Sequence, residues 1–158
     1  MTRLPEDVAA IIRRPQRLGE PAQAFPFLTV DDAGLPHVAL LSQRELAAAA
    51  DGTLHAALAA PTTTRANLER SQAATIVAVE GTTVHSVKLR LRTLFEEDGL
   101  VGIVLDVLAH KADSLGIEVA PMSFVPTEEL GRMERWDRAD RMLQRLAAEG
   151  EGHDDNSS

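Results

Sequence analysis

The residues of this chain best placed to do chemistry lie in one short stretch, Pro61-Thr62-Thr63-Thr64-Arg65-Ala66-Asn67-Leu68. A proline and three threonines ahead of a helical pattern mark a helix start, because a threonine hydroxyl caps N–H groups that the first turn leaves unpaired. A helix start presents free N–H groups and a partial positive charge. Three hydroxyls and the Arg65 guanidinium beside it would suit a phosphate group. The same pattern also describes an ordinary threonine-capped helix with a surface arginine, and the local sequence leaves both readings open.

A second group alternates along one segment. Lys88, Arg90 and Arg92 fall on one side of a strand pattern, and Val87, Leu89 and Leu91 on the other. The basic side either lines a cleft for an anionic ligand or is a solvated face paired with acids on a neighbouring strand. Other chemistry finds little support. The histidines 37, 55, 85, 110 and 153 are scattered, with no i, i+4 pair of the kind that binds metal on a helix. One of them could ligate a haem iron, though no local motif favours it. The serines lack a nucleophile-elbow context, and no side chain stands out as a catalytic acid or base. The chain has no cysteine, which excludes thiol nucleophiles, thiolate metal sites and disulfides and is compatible with a reducing cytoplasm.

The elements that must position these groups follow from pattern. Pro5–Arg14 reads as a short helix with acids in its first turn. Phe25–Val30 and Pro36–Ser42, joined by Asp31-Asp32-Ala33-Gly34, read as a hairpin. Gln43–Asp51 is ambiguous. Thr53–Ala60 reads as a third strand weakened by its alanines, and a short helix follows from the Thr62 region to Arg70. Ala74–Val79, Thr83–Phe95 and Leu100–Ala109 are strands, the last apolar on both faces as a doubly buried strand must be. Ile117–Val125 is expected to be a final strand, at an edge or bulge because of Pro121. A terminal helix is expected from Pro126 to about Ala148, with Leu130, Met133, Trp136, Leu143 and Leu146 as its apolar stripe. The βαβ alternation and glycine-rich fingerprint of a dinucleotide-binding sheet are absent. Six strands joined mainly by hairpins suit a small β-barrel with flanking helices.

The expected organisation is a lead-in helix over 1–20, a barrel over 21–126, a helix packed on it over 127–148 and a disordered acidic tail over 149–158. The net charge of −8 repels polyanions. With four Phe, one Trp and no Tyr, base-stacking platforms are scarce too, so no nucleic-acid partner is expected. The amino terminus lacks a signal-peptide pattern, and no stretch approaches the roughly 20 apolar residues of a membrane span. A cytoplasmic protein without a membrane partner is expected.

Taken together, the layout resembles the pyridoxamine 5'-phosphate oxidase-like FMN-binding split-barrel superfamily over roughly Phe25 to Val125. Three stretches carry the resemblance: Phe25-Pro-Phe-Leu-Thr-Val-Asp-Asp-Ala-Gly-Leu-Pro-His-Val-Ala-Leu-Leu as the opening hairpin, Thr62–Val77 as phosphate-binding turn, short helix and following strand, and Val84–Arg92 as the long strand after it. The resemblance implies a split barrel of six or more mostly antiparallel strands, with FMN at a homodimer interface and oxidoreductase activity on a small-molecule redox substrate. It implies cofactor contacts by His37 and Ser42, by Thr62, Thr63, Thr64 and Arg65 on the turn, and by Lys88 and Arg90 on the strand. Thr63 and Thr64 stand where the family often has two adjacent basic residues, which leaves Arg65 as the nearby cation. A deazaflavin in place of FMN, or a non-catalytic barrel that binds flavin or haem or no ligand, are the alternatives.

Overall fold

A computed structural model describes residues 2–154. Its elements in chain order are α1 (Glu6–Ile12), β1 (Ala22–Gln23), β2 (Phe25–Val30), β3 (Pro36–Leu41), a 3-10 turn (Gln43–Glu45), β4 (Leu46–Ala48), β5 (Leu54–Ala59), α2 (Thr63–Ser71), β6 (Ala73–Glu80), β7 (Thr83–Glu97), β8 (Leu100–Ser114), β9 (Ser123–Phe124), α3 (Glu128–Met133) and α4 (Trp136–Asp154). Seven strands form one antiparallel sheet in the order β3-β2-β6-β7-β8-β5-β4, and β1 pairs with β9 in a separate ribbon. The edge strands β3 and β4 are consecutive in the chain, joined only by Ser42 and the 3-10 turn. At about 3.3–3.6 Å per residue, so short a link cannot bridge the two edges of a flat sheet of seven strands about 4.8 Å apart. The sheet must curl until its edges meet, which makes a barrel split between β3 and β4.

Its inner face is apolar because strand residues alternate. Phe25, Phe27, Ile76, Val87, Leu89, Ile103 and Leu105 point inward and are almost fully buried. Val8, Ile11 and Ile12 of α1 and Leu68 of α2 join the same core. A second, smaller core lies outside the barrel. There Ala139, Met142, Leu143 and Leu146 of α4 pack on Ala57, Leu100, Phe95 and Val104. The alanines of β5 are explained by this arrangement: Leu54, Ala56 and Leu58 face the barrel, and Ala57 faces α4. The strand is buried on both sides, and a small side chain lets the helix approach.

Two register shifts steer these faces. Leu91 pairs with Leu105 and Thr93 with Val104, so Arg92 is an extra residue in β7. This bulge reverses the alternation, so Leu94 faces the barrel opposite Ile103 and Phe95 turns outward to α4. On β8, Leu108 is the extra residue between Ala109, opposite Lys88, and Val107, opposite Leu89.

The expected hairpin, short helix and three central strands are present, and β7 and β8 run farther than anticipated, meeting at Asp98-Gly99. Both turn residues have positive φ, as a tight two-residue hairpin requires. The ambiguous segment divides into the 3-10 turn and β4. Two expectations are corrected. Ile117–Val125 is not a strand: only Ser123–Phe124 pair, with Ala22–Gln23, while Ile117, Met122 and Val125 are exposed. Pro121 has no N–H to give a ladder, and both edges of the main sheet lie elsewhere. The terminal helix is two helices, broken where Arg135 adopts φ 55°. The break takes Met133 out of the apolar stripe and leaves it 71% exposed, whereas Trp136 is buried. The expected disordered tail overlaps α4, which continues to Asp154, and 155–158 lie outside the described residues. Among the described residues, no helix is long and apolar enough to cross a membrane.

Gly102 lies under α4, where an added Cβ would come within 2.7 Å of Met142 Sδ and 3.0 Å of the Phe95 ring. Gly102→Val is expected to cost about 1–3 kcal/mol through overpacking. Urea denaturation measures the loss, and faster hydrogen exchange confined to α4 locates it.

Candidate functional site

The helix start at the head of α2 forms as its sequence predicts. Thr62 is extended, with φ −128° and ψ 156°, and its Oγ1 accepts from the Arg65 N–H at 3.2 Å. The same hydroxyl donates to the Ala59 carbonyl at 3.2 Å, and the Thr62 N–H donates to Ala60. The Ala66 N–H closes the first turn on the Thr62 carbonyl. Among the described residues this leaves the N–H groups of Thr63 and Thr64 without a partner, the two donors that an anion would meet. The Thr64 side chain is buried and that of Thr63 is exposed.

Arg65 is not a free cation. Its guanidinium donates to Glu69 at 2.9 Å, one turn along α2, and to Glu96 at 2.8 Å near the end of β7. Those two bonds, that to Glu69 foremost, push its pKa above the ordinary arginine value. A phosphate at this turn would have to compete with two carboxylates for the guanidinium.

The remaining candidates lie elsewhere. His37 is half-buried on β3, opposite Thr29 of β2. The Ser42 hydroxyl donates to Glu45 at 2.9 Å in a capping box of the 3-10 turn, so it serves the link between the sheet edges. Lys88 and Arg90 project from the outer face of β7, exposed, and neither is in an ion pair among the described residues. Arg92, moved by its bulge, pairs with Asp106 and, at 3.7 Å, with Asp51. The basic stripe thus splits into one paired and two free members. Lys88 projects from the outer face of the sheet, whereas α2 packs Leu68 into the barrel core and bonds Asn67 to the inward-facing Thr29. The structure does not bring Lys88 and the threonine turn together within one protomer.

Sequence reasoning missed the residues that fix α2. Asn67, buried, donates from Nδ2 to Thr29 Oγ1 at 3.0 Å, and its Oδ1 accepts from Arg70 at 2.8 Å. Arg70 also donates to the Val30 carbonyl at 2.7 Å. This network locks the turn to β2 and so places it relative to His37. Its partners are 38 and 40 residues apart in sequence, so no local signal could have found them.

The outer face of the sheet is the other half of the candidate site. Cross-strand partners share a face, and Val38, Leu28, Thr75, Lys88 and Ala109 form one ladder across β3, β2, β6, β7 and β8. The neighbouring rungs add Leu40, Pro26, Val77 and Arg90. Val38 and Leu40 are 55% and 51% exposed. The helix α4 packs on β5, β8 and the Phe95 end of β7, and on the β3-β2-β6-β7 side Val38, Leu40, Lys88 and Arg90 are exposed.

Two histidine sites lie apart from these groups. His85 Nδ1 and His110 Nε2 are 3.0 Å apart with stacked rings, and burial, then the neighbouring His110, lowers the His85 pKa. Beneath the end of α4, His55 Nε2 lies 3.2 Å from Thr53 Oγ1, which donates to Asp51 at 2.6 Å. Burial lowers the His55 pKa, and Asp51 only partly opposes it. Among the described residues no group of three His, Asp or Glu side chains is placed to hold a metal ion.

No protein-family model and no curated protein matches the sequence. Solved structures share the fold. An FMN-binding protein from Syntrophomonas wolfei superposes with TM-score 0.56 at 16% identity, covering 70% of this chain and 86% of its own. HupZ from Group A Streptococcus gives 0.56 at 15% identity, covering 74% and 99%. A homologue of nitrilotriacetate monooxygenase component B from Mycobacterium thermoresistibile gives 0.53 at 8% identity, covering 68% and 77%. The chain therefore shares a split-barrel fold with these proteins, one of them FMN-binding, and at 16% identity or less the likeness is one of fold.

His55 and His85 are each held below the ordinary histidine value of 6.5. Below that pH the unfolded chain takes up protons that the folded chain refuses, so stability falls as pH drops from about 6.5 toward the depressed folded values. Urea midpoints measured from about pH 8 to 5.5 are expected to decline in the acid half of that range. His85→Gln is expected to flatten the decline.

Proposed function

We propose that the protein is an FMN-binding flavoprotein of oxidoreductase type, working as a cytoplasmic homodimer with flavin between its two barrels. What carries the reading is the bare half of the outer sheet face, apolar across β3, β2 and β6 and ending on the unpaired Lys88 and Arg90 of β7. Exposed apolar faces of this kind are interaction surfaces. A second copy is the partner that makes sense of the separated candidates: one protomer's threonine turn and the other's Lys88 can then approach one cofactor.

The residues fit the phosphate end of FMN. The N–H groups of Thr63 and Thr64 are free to donate, at the positive end of α2. Thr75, paired with Lys88 across β6 and β7, adds a hydroxyl to the basic rung. When bound, FMN would supply the hydride and electron transfer itself, while this chain would bind it, orient it and exclude water. No side chain is assigned a proton-transfer role, and the small-molecule redox substrate is left at that class.

A second reading, flavin binding without turnover, is favoured by the two carboxylates that occupy Arg65. Binding with no oxidation of NADH or NADPH would select it.

FMN titration followed by absorbance near 450 nm tests the proposal through two substitutions of opposite sign. Thr63→Pro removes one free N–H at a first-turn position that accepts proline, after a residue already extended. It is expected to weaken FMN roughly tenfold, the worth of one charge-assisted contact of about 1.5 kcal/mol, with the fold intact. Glu96→Gln releases Arg65 from one acid and is expected to strengthen binding. Failure of the wild-type protein to bind FMN, or indifference to both changes, contradicts the phosphate site.

A further inference from the structure

A groove of about 670 Å³ lies between the 3-10 turn and the α3–α4 junction, and none of its lining residues belongs to the threonine turn. Four arginines line it: Arg44 from the turn, Arg132 from α3, Arg135 from the junction and Arg138 from α4. Two acids, Glu128 and Asp137, also line it. Yet among the described residues none of the four arginines forms an ion pair; Arg3, Arg17, Arg70 and Arg90 are unpaired as well, but none of those lines this groove. In a chain of net charge −8, four unpaired guanidinium groups on one groove are not explained by general surface charge.

The groove is also held in place at some cost. Arg135 adopts φ 55°, a left-handed conformation that a residue with a Cβ disfavours, and it sets the break between α3 and α4. Its guanidinium packs over Gly99, where an added Cβ would lie 3.1 Å from Nη1. Arg138 donates to the Asp98 carbonyl at 3.4 Å, so both arginines rest on the β7–β8 turn. On the opposite wall the Arg44 guanidinium lies 5.9 Å from the centre of the Trp136 ring.

From these observations we infer that the groove binds a small phosphorylated molecule, through guanidinium groups presented from both walls. Arginine forks match phosphate oxygens in bidentate fashion. A phosphate presents oxygens in three dimensions and so meets cations on two walls at once, whereas a planar carboxylate presents one edge. The volume suits a ligand larger than a single phosphate, with Trp136 as the apolar wall. The site is independent of flavin and stands whether or not FMN binds at the threonine turn.

Trp136 is the only tryptophan in the chain, so all tryptophan fluorescence comes from the wall of this groove. Tripolyphosphate, titrated into the full chain at constant ionic strength, is expected to change that fluorescence saturably, with the same midpoint by calorimetry. Arg132→Gln combined with Arg138→Gln is expected to weaken binding roughly tenfold or more with an unchanged circular dichroism spectrum. Arg44→Gln alone, an independent variant on the other wall, is expected to weaken it too, and Arg13→Gln, at an exposed pair with Glu6 outside both sites, to leave it unchanged. Four results would overturn the inference: neither heat nor fluorescence change, the same change with sodium chloride at matched ionic strength, binding of citrate in preference to tripolyphosphate, or a titration that the arginine variants do not alter.

Discussion

The packing of α4 on one half of the barrel's outer face is the interaction on which the rest of the arrangement depends. A curled sheet buries its inner face against itself and its plugging helices, here with α1 and α2 contributing Val8, Ile11, Ile12 and Leu68. Its outer face has no such automatic partner. The helix α4 covers Ala57, Leu100, Phe95 and Val104, and that contact becomes possible through a small residue at Gly102 and a bulge at Arg92 that turns Phe95 outward. What α4 does not reach is therefore defined as sharply as what it does. Val38, Leu40, Leu28 and Val77 line the uncovered half, beside Lys88 and Arg90.

The same division organises the charges. Three arginines are held by two acids each: Arg65 by Glu69 and Glu96, Arg92 by Asp106 and Asp51, Arg145 by Glu97 and Glu149. Exposed pairs of this kind add little stability, on the order of 0–1 kcal/mol. Their main effect is to decide which cations stay available. Lys88 and Arg90 on the bare face remain so, as do the four arginines beside Trp136. Seven of the sixteen basic residues form ion pairs among the described residues, so binding capacity in this acidic protein rests on where the other nine cluster.

Much of the fold was legible in the sequence. The alternation of Val87, Leu89 and Leu91 against Lys88, Arg90 and Arg92 gave the strand and its two faces, and the Pro-Thr-Thr-Thr run gave the head of α2. What escaped depended on contacts distant in sequence. Local periodicity cannot reveal the Arg92 bulge, because the extra residue is defined only by its register with β8. Nor could it show that Glu96 reaches Arg65 across 31 residues, or that Asn67 reaches Thr29. Neither glycine nor proline stands at Arg135 itself, and Gly131 sits inside α3 against Trp136, so one long amphipathic pattern hid two helices. Ile117–Val125 misled in the opposite direction: it has strand composition but no sheet edge to join.

The central claim is that the bare sheet half is closed by a second copy and that flavin sits in that closure. Sedimentation velocity of the protein mixed with FMN, recorded at 450 nm, tests it in one experiment. The account predicts that the yellow boundary moves at twice the mass of the chain. Flavin that sediments with a single chain, or that does not sediment with the protein, would contradict it.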